Sequence, residues 1–395
     1  MNILRLRFLL RLSLNIALTI PVLLLTHPSN AQPGVDSTSS KLDQHPIQDP
    51  THLGGYGEMA FHDSSGTGKP RLDIVRFTID IDHDFSPAWE VESELEMEHV
   101  KLEQGMGGEI AIEEAFLEYH NNEQIGWRGG LLLIPIGIVN QTHEPNTFLS
   151  VDRPLFDRIV IPTTWREIGT GIFGSLSKGF QYQLYVTEGL HASSISINGL
   201  DPAKQEGSAG AATSDAIFGS DASHPAVSAK AVFQPSEGLQ IGASGYFQPN
   251  AFDSLPSGIS GQFLMIMLDG QYAHGPFHLR AEGGMFSVSE GAAALNGIPK
   301  QAVGGYVETA YNIFPILFKS NSSELLPFVR YESFTFNQGP FVEGPDLLHV
   351  SHSVLTGGLA FKPIENVILK ADYSQIGSNS TPQRNLFSLG AGYSY

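Results

Sequence analysis

Residues 88–103 read AWEVESELEMEHVKLE, and Trp89, Val91, Leu95 and Met97 alternate there with Glu90, Glu92, Glu94, Glu96 and Glu98. Side chains along a β-strand point to opposite faces in turn. One face of this segment is therefore apolar and the other is a ladder of five carboxylates. A water-soluble sandwich would bury the apolar face and turn the acids to solvent. A transmembrane barrel would turn the apolar face to lipid and the acids to a water-filled lumen. The recurrence of the pattern and the destination of the chain decide between the two.

The N-terminus reads as an export signal. Arg5, Arg7 and Arg11 form a basic region without acids, Leu12 to Leu25 is a short apolar run, and Ser29-Asn30-Ala31 offers small residues for cleavage. The run falls short of the ~20 apolar residues a spanning helix needs. Residues 1–31 are thus expected to be a signal peptide cleaved near Ala31, residues 32–52 a flexible polar lead-in, and residues 53–395 a barrel. The chain contains no cysteine, which excludes disulfides, thiolate metal sites and a lipoprotein anchor. The formal charge is −19, and losing the three signal-peptide arginines makes it −22. Phosphate backbones would be repelled, so no nucleic-acid partner is expected. Mean hydropathy is −0.05, which excludes a bundle of membrane helices but not a barrel, whose strands alternate.

From Leu53 onward short alternating segments follow one another between turn residues. The clearest are Arg71–His83, Phe180–Glu188, Val227–Gln234, Leu239–Gln248, Phe277–Ser287 and Val367–Gln375. Weaker ones cover 54–62, 109–120, 125–135, 167–177, 262–273, 300–312, 325–337, 349–362 and 385–395. With the glutamate segment they make about sixteen strands, a common even number for bacterial barrels. Connectors alternate as well. Asp84–Pro87, Asn121–Gln124, Lys178-Gly179, Pro235–Gly238, His274–Pro276 and Pro363–Asn366 are tight, whereas 136–166 and 189–225 are long. Short periplasmic turns and long outer loops are the layout of an outer-membrane barrel. One misfit is Phe314–Glu324, which falls where a short turn belongs yet is long and apolar at Ile316-Leu317-Phe318. The last segment places Phe387, Leu389, Ala391, Tyr393 and Tyr395 on one face, and its pairing with the first strand would leave no open edge.

Enzyme signatures are weak. Thr67-Gly68 and Thr170-Gly171 lack the strand–loop–helix context of a phosphate loop. His349, Ser351, His352 and Ser353 have no oriented third partner and read as a polar loop edge. The 14 histidines show no tight ligand spacing, so no metal and no cofactor are expected, and catalysis is not.

Residues 83–174 resemble the phosphate-selective porin O and P family. The likeness lies in His83-Asp84-Phe85-Ser86-Pro87 with the glutamate ladder, and in Leu133-Ile134-Pro135-Ile136-Gly137-Ile138-Val139-Asn140 with Thr142-His143-Glu144-Pro145. It continues in Ile161-Pro162-Thr163-Thr164-Trp165-Arg166-Glu167 and Gly169-Thr170-Gly171-Ile172-Phe173-Gly174. The resemblance implies an all-β, transmembrane antiparallel barrel of sixteen strands, usually a homotrimer in outer-membrane lipid, with the third long loop folded into the lumen. It also implies a channel for small hydrophilic solutes and ions. Phosphate-selective members use an arginine ladder and a lysine cluster. This chain has 22 Lys+Arg against 41 Asp+Glu, and its ladder is of glutamates, so strong phosphate selectivity is not expected. A solute-specific oxyanion channel and a closed barrel with an enzymatic, binding or structural role are the alternatives.

The lumen chemistry follows from facing. Asp80, Asp82 and Glu90–Glu98 share one wall, with Glu114 and Glu118 on the next strand, and opposed like charges destabilise a sheet. Water and mobile cations, a bound divalent cation, or the loop arginines Arg153, Arg158 and Arg166 could offset them. Later strands carry mixed inward charges: Lys230, Arg280, Glu282, Arg330, Glu332, Lys370 and Asp372. An acidic wall facing a mixed one would set a transverse field.

Overall fold

The computed structural model describes residues 50–65, 69–99, 108–161, 164–177, 179–190, 222–251, 261–289, 291, 299–320, 322–337, 349–379 and 382–395. The signal peptide and most of the lead-in lie outside them.

The first strand, β1, is Thr51–Gly54 and Tyr56–Ser64, two pieces that both pair with the second strand. The break falls at Gly55, whose φ is +148° and where a Cβ would lie 2.3 Å from the Thr78 carbonyl oxygen, so only glycine fits. The Tyr56 N–H then donates to Thr78 Oγ1 at 2.9 Å. Strands β2 to β8 are Arg71–Ser86, Trp89–Glu98, Glu109–Asn122, Ile125–Leu133, Arg166–Ser177, Phe180–Thr187 and Ala226–Ser236. Strands β9 to β16 are Leu239–Gln248, Phe263–His274, Phe277–Val288, Gln301–Tyr311, Glu324–Asn337, His349–Ile364, Val367–Ser378 and Arg384–Ser394. Every neighbouring pair is antiparallel, and β16 pairs with β1 from Leu386↔Ser64 to Ser394↔Tyr56. The sheet is therefore a closed barrel of sixteen strands.

Alternation decides the two faces. In β10, Leu264, Ile266 and Leu268 are exposed on the outside, while Phe263, Met265 and Met267 are buried inside. This run is apolar on both faces, which is why its period is weak in sequence. The inner apolar face belongs to a cluster with Phe286, Val288, Phe334 and Phe336 toward the long-loop rim. Below it, toward the short-turn rim, the inner face turns charged: Glu282 stands opposite Tyr306, and Arg280 opposite Glu308.

Boundaries shift in places. The barrel begins at Thr51 rather than Leu53, because Thr51–Gly54 pairs with Asp80–His83. Strand β2 runs through Ser86, narrowing the expected turn at Asp84–Pro87. The glutamate strand ends at Glu98, and residues 100–103 lie outside the described residues. The apolar misfit is a short helix, α2, at Phe314–Phe318, following α1 at Phe156–Ile159. Lys319 in left-handed conformation ends it. Ile316, Leu317 and Phe318 stay exposed, and Phe314 stacks on Phe361 at 6.2 Å.

Candidate functional site

Strand β5 stops at Leu133 and β6 starts at Arg166, and the connector between them folds into the barrel. Its ends are tied together by one side chain. Asn140 Nδ2 donates to the carbonyls of Ile134 and Trp165 at 2.8 and 2.9 Å, and its Oδ1 accepts from the Trp165 N–H at 2.7 Å. Ile134, Ile136, Phe156, Val160, Ile161 and Trp165 pack into the inner apolar cluster. Gly390 and Gly392 of β16 leave room for the loop, since a Cβ on them would lie 3.0 Å from Val151 and 2.5 Å from Pro145.

The far wall holds the loop mainly through its backbone. Gly137 N–H donates to Ser244 Oγ at 3.0 Å, and Lys230 Nζ donates to the Gly137 carbonyl at 2.8 Å. Glu282 Oε2 accepts from Ile138 N–H at 3.1 Å, Glu332 Oε2 from Phe156 N–H at 2.8 Å, and Asp372 Oδ2 from Val151 N–H at 2.6 Å. Arg280 donates to the Thr147 carbonyl at 2.8 Å. Arg330 pairs with Glu332 at 2.9 Å and Glu308 at 3.1 Å, and donates to Ser150. Lys370 Nζ sits 3.6 Å from the centroid of the Phe148 ring, a cation–π contact. Glu282, Glu308, Glu332 and Asp372 thus each receive a backbone or guanidinium donor, the condition for burying charge without a large penalty, whereas both oxygens of buried Asp269 lack a hydrogen-bond donor among the described residues.

The near wall is more acidic. Register sets Asp80 opposite Glu94 and Asp84 opposite Glu90. It also sets Glu94 opposite Glu114, and Glu90 opposite Glu118. Such pairs repel, and local partners offset them. Tyr56 OH donates to Glu94 at 2.7 Å. Arg76 lies 3.4 Å from Glu58 and 3.6 Å from Glu96. Arg128 Nε donates to Glu118 at 2.7 Å, between the rings of Phe116 and Phe173 at 4.6 and 4.8 Å. His120 lies 2.9 Å from Glu118. Asp80, Asp82, Glu90, Glu92, Glu94 and Glu98 remain half-buried, while Glu96 is buried.

The loop arginines take hydrogen-bond and ion-pair partners outside the ladder, although the Arg153 guanidinium lies within electrostatic reach of Glu96 and Glu98. Arg153 Nη1 donates to Thr164 Oγ1 at 3.1 Å, and Arg158 lies 3.6 Å from Asp152 of its own loop. Arg166 lies 3.6 Å from Glu113 on the next strand. The reason is a β-bulge between Glu94 and Leu95, opposite residues 112–114, which turns both Glu113 and Glu114 away from the outward-facing Ile112. Glu113 is fully buried and takes the contacts a ladder residue was expected to make. Its Oε2 lies 2.8 Å from His143 Nε2, which is itself 3.9 Å from Glu94. Burial, with the Arg153 guanidinium next, holds the His143 imidazole below the ordinary histidine range. Donor atoms of Glu94, Glu113 and His143 lie within 4.8 Å of one another, close enough to hold a metal ion. Sequence reasoning did not single out Glu113, His143, Arg76 or Arg128 as site residues. The bulge hides Glu113 by breaking its parity, whereas Arg76 was visible as a partner of the Asp80 face.

No known family model matches the chain. Among solved structures it is similar in fold to OmpF of Salmonella typhi in complex with daunomycin, with a TM-score of 0.58 and 14% identity over 87% of this chain and 97% of that one. A loop L8 deletion mutant of OmpT, an outer membrane protein of Vibrio cholerae, gives 0.55 and 11% over 87% and 99%. The outer membrane channel DcaP of Acinetobacter baumannii gives 0.54 and 15% over 87% and 97%. In sequence, an uncharacterized protein of Aquifex aeolicus (strain VF5) is 30% identical over 358 residues, 86% of this chain and 78% of that protein. The chain therefore belongs to the same family as this Aquifex aeolicus protein, and its fold is the sixteen-stranded barrel of the outer-membrane porins.

Proposed function

We propose that the chain is an outer-membrane porin through which small hydrophilic solutes and ions diffuse passively, with a weak preference for cations. The observation that carries this reading is the loop held inside a closed barrel, with half-buried Asp80, Asp82, Glu90 and Glu92 on the wall beside it. Fixed carboxylates raise the local cation concentration. Across the lumen Arg280 and Lys230 supply positive charge, so solutes would cross a transverse field. Export through a signal peptide cleaved near Ala31, residence in outer-membrane lipid and assembly as a homotrimer belong to the same proposal.

Phosphate selectivity is disfavoured by the placement of the guanidiniums. Arg76, Arg128 and Arg330 are each committed to wall carboxylates rather than stacked as an anion ladder. A second reading, a barrel closed at rest, draws on the apolar cluster that the loop completes inside the lumen. Single-channel recording in a potassium chloride gradient tests both. A reversal potential on the cation side, unaltered by added phosphate, is expected. Anion preference with phosphate block would replace the reading by an oxyanion channel, and absence of conductance would favour the closed barrel.

A further inference from the structure

The contact between His143 and the near wall poses a problem of hydrogen-bond polarity. His143 Nδ1 lies 3.2 Å from the Asn140 carbonyl, and Nε2 lies 2.8 Å from Glu113 Oε2 and 3.9 Å from Glu94 Oε1, so both ring nitrogens face oxygens that accept. A neutral imidazole carries one proton and can donate to only one side. With that proton on Nδ1, the Nε2 lone pair faces the two carboxylates, an arrangement that a bound cation satisfies. The other oxygen, Glu113 Oε1, is buried without a hydrogen-bond donor among the described residues, with the Glu96 carboxyl packed against Glu113 and Arg166 no nearer than 3.6 Å. Carboxylates of Glu58, Asp80, Glu96 and Glu114 crowd the same wall, against the guanidiniums of Arg76, Arg153 and Arg166.

We propose that His143 Nε2 and the carboxylates of Glu113 and Glu94 form a binding site for one divalent first-row metal ion, with zinc as the best match. Imidazole nitrogen and carboxylate oxygen are ordinary zinc donors. Ligands ~2.1 Å from a tetrahedral ion lie ~3.4 Å apart, and the observed separations of 2.8 and 3.9 Å bracket that value. The outer partners match a metal site too. The Asn140 carbonyl is placed to accept from Nδ1–H, leaving Nε2 for the ion, and Tyr56 OH holds the Glu94 carboxylate at 2.7 Å. The three ligands come from β3, the bulge of β4 and the inward loop. A bound ion would therefore tie the loop to the wall and stabilise its seated position by mass action.

The test uses the full-length exported protein, folded in detergent and stripped of metal with a chelator. Zinc chloride is titrated by calorimetry, and cobalt chloride by visible absorption. One ion per chain is expected, with cobalt giving the intense visible bands of a low-coordinate nitrogen–oxygen site. His143→Ala and Glu113→Gln should each weaken zinc binding by at least tenfold, while an unheated gel confirms that each variant is folded. Absence of zinc binding and of a cobalt spectrum in the unaltered protein overturns the proposal, and that result needs no variant. Binding that survives both substitutions unchanged in folded protein overturns it equally, because the ion would then sit elsewhere.

Discussion

Gly137→Ala should unseat the inward loop, and its cost can be worked from the structure. Gly137 has φ of +64°, a left-handed conformation that costs an L-residue roughly 1–2 kcal/mol. The new Cβ would lie 2.0 Å from Glu282 Oε1 and 2.9 Å from Ile161 Cδ1. The carboxylate cannot simply swing aside, because its Oε2 is held by Ile138 N–H at 3.1 Å and by Tyr306 OH at 3.3 Å. Overpacking of this kind costs about 1–3 kcal/mol. Even ~2 kcal/mol in total lowers the ratio of seated to unseated loop by about 30-fold. The readouts are open-channel current noise and the rate of proteolysis within 136–165, and both should rise. Glu282→Ala removes the clashing atoms but also the Ile138 anchor, so the double variant should lose less than the sum of the two single variants. Identical noise and proteolysis in Gly137→Ala and the unaltered protein would show that the loop does not depend on this contact.

Three further outcomes are expected. Changing half-buried Glu90 and Glu92 together to Gln should lower cation preference in reversal-potential measurements, most at low salt where screening is weak; unaltered selectivity would show that these carboxylates do not set the preference. Arg128→Met leaves buried Glu118 without its guanidinium and should cost about 3–5 kcal/mol, seen as a lower temperature for loss of the compact band on unheated gels. Deleting Tyr395, whose N–H donates to Gly55 O at 2.9 Å and whose OH donates to Thr78 O at 3.2 Å, should reduce the amount in the outer membrane while residual protein still conducts. Normal membrane levels would refute a role in closure and delivery.

The barrel was legible because alternation is a local property. Leu239–Gln248 and Val367 onward show in sequence the faces they have in three dimensions, and register follows once turns are short. The candidate site was legible only in part. Glu282, Glu332 and Asp372 were placed inward by parity, but their partners are loop N–H groups, which no side-chain pattern announces. The loop arginines looked like natural partners of the ladder, yet Arg158 pairs with Asp152 in its own loop and Arg153 turns to Thr164. Strand bulges did the rest. The register shift after Glu94 places Glu113 inside, where strict alternation from Glu114 and Glu118 would put it outside.

The way the loop is held also accounts for how so acidic a chain can fill its lumen. With 41 acids against 22 lysines and arginines in the chain, cations are scarce partners for its carboxylates. On the near wall the arginines and histidines do this work: Arg76 serves Glu58 and Glu96, and Arg128 and His120 serve Glu118. On the far wall three carboxylates instead take backbone N–H groups of the loop at Ile138, Val151 and Phe156. A backbone donor adds no charge and needs no basic residue, yet a hydrogen bond to a carboxylate contributes about 1.5–3 kcal/mol. The loop is thus part of the electrostatic balance of the wall. Unseating it would leave Glu282 and Asp372 without these backbone donors and Glu332 with its Arg330 partner alone, so the wall's carboxylates are stabilised only while the loop stays in place.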